Sequence, residues 1–331
     1  MKLHRTGTAV VVLGSILLWT ACGVEKEPST EAAGTQDSAQ LVAAGTSVEN
    51  PDTVTVHGID FTYFAEGDGP TCVLVGDGLP FYRVVSDTLK SRFRFLNLNS
   101  RLTTPEAEVG DVSHMTMDTL VDDIEGAREA LDLGRICVIG HSISGLIALE
   151  YARKYPDNTT FVVMHSTPPY YGDSLGRADR KYWDEHASPE RKAARAAARE
   201  RVPQDSLDKL PPSDAMILSY VNNASTYFND PLYDPAWILK GEYWNVPAWN
   251  QLFQVIMKTY DMADGPPVTK PVFLALGKED YSVPWQVWTD AQKAKIPNLT
   301  VYTFAQSGHY SALEQRDLFD KRFLEWVDGL N

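Results

Sequence analysis

The chain has 331 residues, of which 44% are hydrophobic and 22% are charged, a composition typical of a globular protein with one large core. Its net charge of −14 argues against a nucleic-acid partner, because nucleic-acid binding requires a basic face. The sequence contains no metal-ligand spacing and no phosphate-binding glycine loop, so it predicts neither a metal nor a cofactor.

The N-terminus is predicted to be a targeting segment. Lys2 and Arg5 precede an apolar run at 9–19, which has the length of a signal-peptide core and is too short to span a membrane. The stretch Trp19-Thr20-Ala21-Cys22 resembles a bacterial lipobox, although leucine is usual where Trp19 stands. Residues 1–21 are therefore interpreted as a lipoprotein signal peptide, with Cys22 as the lipidation site of an exported protein anchored to the membrane of the bacterial cell envelope. The alternative is an ordinary secretory signal and a soluble secreted or periplasmic protein.

Residues 22–50 are predicted to be a disordered tether, because they are rich in small and polar residues and contain no aromatic side chain. The folded domain is predicted to span 51–331. It contains two cysteines, Cys72 and Cys137, and both lie in apolar strands. They are interpreted as small buried side chains rather than as a disulfide or a metal site.

From residue 53 onward, strand and helix patterns alternate. Strands are predicted at 53–57, 61–65, 72–75, 93–98, 136–139, 161–164, 272–276 and 299–304, and helices at 84–91, 116–131 and 144–155. This alternation predicts an α/β fold in which a parallel sheet has helices on both faces. In such sheets, ligands bind at the carboxyl ends of the strands.

A candidate nucleophile lies between the strand at 136–139 and the helix that follows it. Gly140-His141-Ser142-Ile143-Ser144-Gly145 resembles the G-x-S-x-G pattern, with Ser144 at the fifth position in place of glycine. A serine on such a sharp strand-to-helix turn projects its hydroxyl out of the sheet. Ser142 is therefore the predicted nucleophile, and the alternative is an ordinary turn with a buried serine.

An acid and a histidine follow the last two predicted strands. Asp280 comes just after the strand at 272–276, and His309 comes just after the strand at 299–304. The order Ser142, Asp280, His309 suits nucleophilic catalysis, because a histidine takes the serine proton while a carboxylate orients the imidazole.

The motifs GHSISG at 140–145, GKEDYSVP at 277–284 and SGHYSALEQ at 307–315 together resemble those of the α/β-hydrolase family with a helical cap. The resemblance covers the chain from about residue 51 to the end. It implies a mostly parallel eight-stranded sheet flanked by helices, with Ser142 as nucleophile, His309 as base and Asp280 as the orienting acid.

The predicted oxyanion hole combines one donor beside the nucleophile with one in an earlier loop. The first donor is the backbone N–H of Ile143. The second is the N–H of Leu79 when the family's His-Gly-x-Pro is aligned with Asp77-Gly78-Leu79-Pro80, or the N–H of Gly78 when the alignment shifts by one residue. Asp77 occupies the usual histidine position, and its favoured role is to hold the loop through side-chain to backbone hydrogen bonds.

Between about 168 and 265 the alternation stops, and an aromatic-rich helical cap is predicted over the active site. The candidate pocket-wall residues, each of which could instead pack inside the cap, are Tyr220, Tyr227, Phe228, Trp237, Trp244, Trp249 and Phe253. The alanine-rich segment that contains Arg191, Arg195 and Arg199 is interpreted as a solvated helix.

The resemblance implies a serine hydrolase, with a small, largely apolar carboxylic ester as the first substrate class. A serine at the predicted nucleophile position argues against the epoxide hydrolase and dehalogenase branches, which use a carboxylate nucleophile. Cap placement also resembles that of proline iminopeptidases, so an amide-cleaving aminopeptidase is the alternative, with Glu242 or Asp234 as candidates to hold its substrate's ammonium group. A non-catalytic surface binding module is the third interpretation.

Overall fold

One sheet of eight strands organises residues 46–330, the part of the chain that the computed structural model describes. The strands are Asp52–Val56 (β1), Ile59–Glu66 (β2), Thr71–Leu74 (β3), Arg94–Leu98 (β4), Ile136–His141 (β5), Thr159–His165 (β6), Val272–Gly277 (β7) and Leu299–Phe304 (β8). Their spatial order is β1-β2-β4-β3-β5-β6-β7-β8. The β1–β2 and β2–β4 pairs are antiparallel, and every other pair is parallel. The predicted α/β class and the mostly parallel eight-stranded sheet are confirmed.

Helices flank the sheet and fill the long connection after β6. They are Gly78–Val84 (α1), Asp87–Lys90 (α2), Glu106–Val109 (α3), Met117–Ala130 (α4), Ser144–Lys154 (α5), Asp173–His186 (α6), Pro189–Arg201 (α7), Gln204–Leu207 (α8), Pro212–Asn222 (α9), Ala224–Tyr227 (α10), Val246–Gln251 (α11), Asp290–Lys293 (α12), Ser311–Glu314 (α13) and Arg316–Asp328 (α14). A π-helical turn at Leu252–Ile256 continues α11. Helices α6 to α11 all lie between β6 and β7, where the cap was predicted.

The two faces of the sheet bury two separate hydrophobic clusters, because successive strand residues point to opposite faces. One cluster contains Val73, Val138, Val162 and Leu274 and packs against α4 and α5. The other contains the neighbouring strand residues Cys72, Ile139, Val163 and Phe273 together with Phe319 and Phe323 of α14. Cys72 and Cys137 lie opposite each other on β3 and β5, buried and with free thiols. Helices therefore cover both faces and leave the carboxyl edge of the sheet to the loops.

The structure differs from the predicted elements in several places, and it adds α3, α13 and α14. The helix predicted at 84–91 does not form as one unit: α1 begins earlier and ends at Val84, and α2 begins at Asp87, because Val85 is extended and the Ser86 side chain accepts from the Leu89 N–H. The fold also begins before residue 51, since the Thr46 hydroxyl accepts a hydrogen bond from the Ala65 N–H and Val48 packs against the second cluster. The predicted signal peptide, Cys22 and most of the predicted tether lie outside the described residues. None of the helices within 46–330 is long and apolar enough to cross a membrane.

Candidate active site

A strained turn carries Ser142 between β5 and α5. The φ of Ser142 is 54°, in the left-handed region, and this conformation is costly for a residue with a side chain. Gly140 permits the tight turn, since a Cβ there would lie 2.2 Å from the Ser144 carbonyl oxygen. The Ser142 N–H donates to the His165 carbonyl at 2.8 Å. Ser142 is partly exposed although His141 and Ile143 beside it are buried, so the turn presents the serine at the edge of the sheet.

Asp280 and His309 form a buried pair in the loops that follow β7 and β8. The distance from His309 Nδ1 to Asp280 Oδ2 is 2.6 Å, and neither side chain is more than 1% exposed. The other carboxylate oxygen accepts from the N–H groups of Ser282 and Val283 at 2.9 Å, which fixes the carboxylate plane. Because an ionised carboxylate only accepts, Nδ1 of His309 carries the proton and Nε2 presents its lone pair, as a general base requires.

The serine turn and the histidine loop meet through His141. Its Nε2 donates to the His309 carbonyl oxygen at 3.0 Å, and the two rings lie 4.6 Å apart, edge to face. Within the described residues, no hydrogen bond joins the Ser142 hydroxyl to His309. The residues predicted as nucleophile, acid and base therefore follow the ends of β5, β7 and β8 at one edge of the sheet, with the predicted acid and base in direct contact.

Two neutral histidines beneath His309 escaped the sequence analysis. Burial, with the nearby His309 charge as a second cause, lowers the pKa of His141 and lowers that of His165 to about 3. Nε2 of His165 accepts from the Ala312 N–H at 3.3 Å and lies 2.9 Å from the Ser311 hydroxyl, which ties the strand end to the segment after His309. His141 is visible in the GHS stretch, but no spacing in the sequence predicts the contact with His309.

The predicted oxyanion donors lie at the starts of two helices. Gly78 and Leu79 occupy the first turn of α1, and Ile143 is the residue immediately before α5. The N–H groups in a first helical turn have no intrahelical acceptor, and the helix dipole favours negative charge there. This arrangement suits an oxyanion with either Gly78 or Leu79 as the second donor.

The Asp77 side chain faces α5, the helix that follows Ser142, rather than α1, the helix that Asp77 precedes. Its carboxylate accepts from the Ser144 hydroxyl at 2.7 Å and makes no side-chain hydrogen bond to the first turn of α1. The loop is thus held by a contact between two side chains, in addition to the hydrogen bond between the Asp77 carboxylate and its own backbone N–H. Burial raises the pKa of Asp77 to about 6, opposed by the Ser144 hydrogen bond and the His309 charge.

Aromatic residues of the cap adjoin His309. The rings of Tyr220 and Tyr227 stack 4.2 Å apart, and the ring of Tyr227 lies 5.5 Å from that of His309. Trp244 lies edge-on to Tyr220 at 5.9 Å, and Trp249 follows at 6.1 Å from Trp244. Four predicted pocket-wall residues therefore form a continuous aromatic cluster that reaches His309.

The other three predicted pocket-wall residues lie farther from His309 or in different packing environments. Trp237 is 44% exposed and donates to the Tyr233 hydroxyl. Phe228 is fully buried against Tyr310, with ring centroids 5.2 Å apart, and packs inside the protein. Phe253 stacks between Tyr171 and Trp249. Aromatic composition predicted a cluster, but only the fold decides which rings join it.

The basic helix α7 is not a solvated helix throughout, as the sequence suggested. Arg191 is 4% exposed, and its guanidinium donates to three backbone carbonyl oxygens of the segment after α9, those of Ser225 at 2.6 Å, Phe228 at 2.7 Å and Asn229 at 2.7 Å. Arg195 lies over the Trp183 ring at 4.4 Å. Only Arg199 is exposed as predicted.

Comparison with known proteins agrees with the fold. The family model described as alpha/beta hydrolase fold matches residues 52–315. The AB hydrolase superfamily protein YclE of Bacillus subtilis strain 168 is 30% identical over 277 residues, which cover 82% of this chain and 96% of YclE. Among solved structures, an alpha/beta fold family hydrolase from Bacillus anthracis str. Sterne matches with a TM-score of 0.61 and 22% identity, over 82% of this chain and 96% of that one. The esterase EaEST from Exiguobacterium antarcticum matches with a TM-score of 0.57 and 17% identity, over 86% and 98%. The chain belongs to the alpha/beta hydrolase family.

Proposed function

We propose that this protein is a serine hydrolase that cleaves small, largely apolar carboxylic esters through an acyl-enzyme. The observation that carries the proposal is the buried 2.6 Å contact between His309 Nδ1 and Asp280 Oδ2. The His309 loop meets the strained turn of Ser142 through the hydrogen bond from His141 Nε2 to the His309 carbonyl oxygen. A buried acid that fixes the tautomer of a histidine, together with a serine on a strained turn at the same edge of the sheet, supplies the groups that nucleophilic catalysis needs.

The proposed reaction has two steps. Ser142 Oγ attacks the substrate carbonyl carbon while Nε2 of His309 takes the hydroxyl proton, and the N–H groups of Ile143 and of Leu79 or Gly78 bind the oxyanion. His309 then gives this proton to the leaving alkoxide, and the carbon–oxygen bond to the leaving group breaks. In the second step His309 removes a proton from water, the hydroxide attacks the acyl carbon, and the proton returns to Ser142 as the acid leaves.

The aromatic cluster of Tyr220, Tyr227, Trp244 and Trp249 favours an apolar acyl or leaving group, because these rings approach His309 from the cap. The EaEST relative is an esterase, which is consistent with an ester substrate here. A serine rather than an aspartate at the elbow argues against epoxide and haloalkane substrates.

A substrate with a free amine is the second candidate, as for an aminopeptidase. One observation favours it: Glu242 of the cap is half-buried, and the charge of Asp77 is among the causes that raise its pKa, so two carboxylates interact near the site. Asp234 does not share this environment, because it is exposed and accepts from the Ala236 N–H in a local turn.

The test combines active-site labelling with a substrate comparison. We expect a fluorophosphonate probe to label the wild-type protein and not Ser142→Ala, and we expect kcat to fall on the order of 10⁴-fold to 10⁶-fold in that variant. A short-chain p-nitrophenyl ester should give a higher kcat/KM than proline p-nitroanilide. Labelling that persists in Ser142→Ala refutes the nucleophile, and a preference for the proline amide that is lost in Glu242→Gln selects the aminopeptidase.

We also propose that the mature protein is lipid-anchored through Cys22 at the bacterial cell envelope. The support is the short apolar run at 9–19 followed by Thr20-Ala21-Cys22.

A further inference from the structure

The two residues at which this chain departs from the family pattern bond to each other. Ser144 stands where the elbow pattern has glycine, and Asp77 stands where the oxyanion loop usually has histidine. Their side chains meet at 2.7 Å, from Ser144 Oγ to Asp77 Oδ1. Ser144 lies two residues after the nucleophile, and Asp77 directly precedes Gly78 and Leu79. The contact therefore links the two segments that carry the predicted oxyanion donors.

The backbone around this contact is tightly packed. Gly76 has a φ of +77°, and a Cβ on it would lie 2.1 Å from Ser144 Oγ, so the loop rests directly on the elbow helix. From the other side, the Ser100 hydroxyl donates to the Gly76 carbonyl oxygen at 2.9 Å. The Ser144 side chain is fully buried and has no solvent to replace a lost partner. The oxyanion loop is thus held between Ser100 and Ser144.

We propose that Asp77 and Ser144 act as one positioning pair that sets the spacing between the Ile143 N–H just before α5 and the Gly78 and Leu79 N–H groups on α1. The proposal rests on the proposed function, because it assigns the pair to the oxyanion hole of that reaction. An oxyanion donor contributes only when it lies within hydrogen-bond distance of the developing charge. Loss of either side chain would let α1 and α5 shift relative to each other and misplace one donor.

The charge of Asp77 gives the pair a second, separable effect. His309, Ser144, Tyr220, Tyr310 and Glu242 are the polar and titratable groups that interact with the Asp77 carboxylate. Because its pKa is raised to about 6, Asp77 is mostly ionised at neutral pH. Its negative charge opposes an oxyanion that forms nearby. Asparagine at this position keeps an acceptor oxygen for Ser144 but removes the charge, and alanine removes both.

The experiment is a double-mutant cycle on the full-length protein, with Asp77→Ala, Ser144→Ala and the double variant. The measurements are kcat and KM for a p-nitrophenyl ester, the fluorophosphonate labelling rate and the Tm. We expect each single variant to lower kcat on the order of 10-fold to 100-fold with little change in KM, which is at most the loss of one oxyanion donor. The double variant should be no slower than the slower single variant, because both changes break the same contact.

Two further variants separate positioning from charge and from stability. Asp77→Asn should lose less kcat than Asp77→Ala, because the amide oxygen can still accept from the Ser144 hydroxyl. Ser86→Ala removes another buried serine, the one that begins α2, and should lower the Tm while leaving kcat and the pH profile unchanged.

Multiplicative losses in the double variant, or losses that merely follow the Tm, would overturn the positioning role, as would a kcat in Asp77→Asn as low as that of Asp77→Ala. Failure of the proposed function looks different, because the wild-type protein would then neither take the fluorophosphonate at Ser142 nor hydrolyse the ester. In that case the proposed role of Asp77 and Ser144 is refuted together with the proposed function. An active wild-type protein with an additive cycle refutes the pair alone.

Discussion

The backbone N–H of His309 donates to the carbonyl oxygen of Tyr227, with 2.5 Å between nitrogen and oxygen. One residue earlier in the same cap segment, the Thr226 carbonyl accepts from the Tyr281 N–H at 3.0 Å, beside Asp280. Gly308 permits the close approach, since a Cβ there would lie 2.1 Å from the Tyr227 oxygen. The cap therefore bonds directly to both loops that carry the predicted acid and base.

Arg191 should help to position those loops. Its guanidinium donates hydrogen bonds to three backbone carbonyls of the cap segment that bonds to them. We expect Arg191→Met to destabilise the protein by about 3 kcal/mol or more, since it leaves buried carbonyls without donors. It should also lower kcat on the order of 10-fold or more as the His309 loop loses its fixed position. Arg191→Lys keeps the charge but cannot reach three carbonyls at once. Its stability and kcat should therefore lie between those of the wild type and those of Arg191→Met.

The matched control is Arg199→Met, an exposed arginine on the same helix. It should leave both Tm and kcat near the wild-type values. The measurements are Tm by calorimetry and kcat at a temperature well below each Tm. If Arg191→Met lowers the Tm but leaves kcat of the folded enzyme unchanged, the cap segment supports the fold only and does not position the base.

Asp280→Asn tests the assignment of the acid. The amide can still face Nδ1 of His309, but it favours the wrong tautomer, and the loss in kcat should be roughly 10⁴-fold. Asp261, Asp264 and Glu279 are the competing carboxylates in sequence, and Glu279 instead accepts from the Tyr281 hydroxyl at 3.0 Å. Glu279→Gln is therefore the control in a comparison of labelling rates. A near-normal rate in Asp280→Asn together with a dead Glu279→Gln would assign the acid to residue 279.

The loops that bear the predicted triad can be located from sequence because each directly follows a strand with a clear apolar pattern. Parallel strands bring their carboxyl ends to one edge, so Ser142, Asp280 and His309 were expected to lie near one another without knowledge of the strand order. The contact between Asp77 and Ser144 joins residues 67 positions apart, and nothing local in either stretch predicts it. Each alone looks like a departure from the pattern, and only the fold brings the two together.

Burial of charged and aromatic residues in the cap was the part that local pattern could not predict. Arginines at steps of four on an alanine-rich helix have the pattern of a solvated face, yet Arg191 is buried by a segment 34 to 38 residues further along the chain. Trp237 lies in the same aromatic-rich segment as the buried Trp244 and Trp249, yet it is exposed. The helix predicted at 84–91 failed because Ser86 is a strong helix-start residue that follows the extended Val85 and begins α2.

Cys22→Ala tests the proposed lipid anchor. The thiol is the atom to which lipid would attach, so the variant should leave the membrane fraction or fail to mature. A single acyl chain binds membranes only marginally, so the mature N-terminus should carry more than one. Mass spectrometry of the mature N-terminus provides the measurement, and Cys72→Ala is the control for loss of a thiol. An unmodified N-terminus in a soluble fraction selects the secretory-signal alternative.

Glu242 should make the stability of the protein depend on pH. Burial, followed by the charge of Asp77, raises the pKa of Glu242 in the folded state to about 8 from an ordinary value of 4.5, with Arg83 opposing. A carboxyl with a raised folded-state pKa favours folding fully below its ordinary pKa, and that contribution is lost as the pH rises through about 8. Glu242→Gln is neutral at every pH, so it should match the wild-type Tm near pH 4.5 and exceed it by roughly 2 °C or more at pH 8.5. Asp234→Asn removes an exposed charge from the same part of the cap and should give a difference that does not grow with pH. Tm measured from pH 4.5 to 8.5 for the three proteins decides the point, and a constant offset between Glu242→Gln and the wild type would mean that the carboxylate is already solvated and ionised at neutral pH.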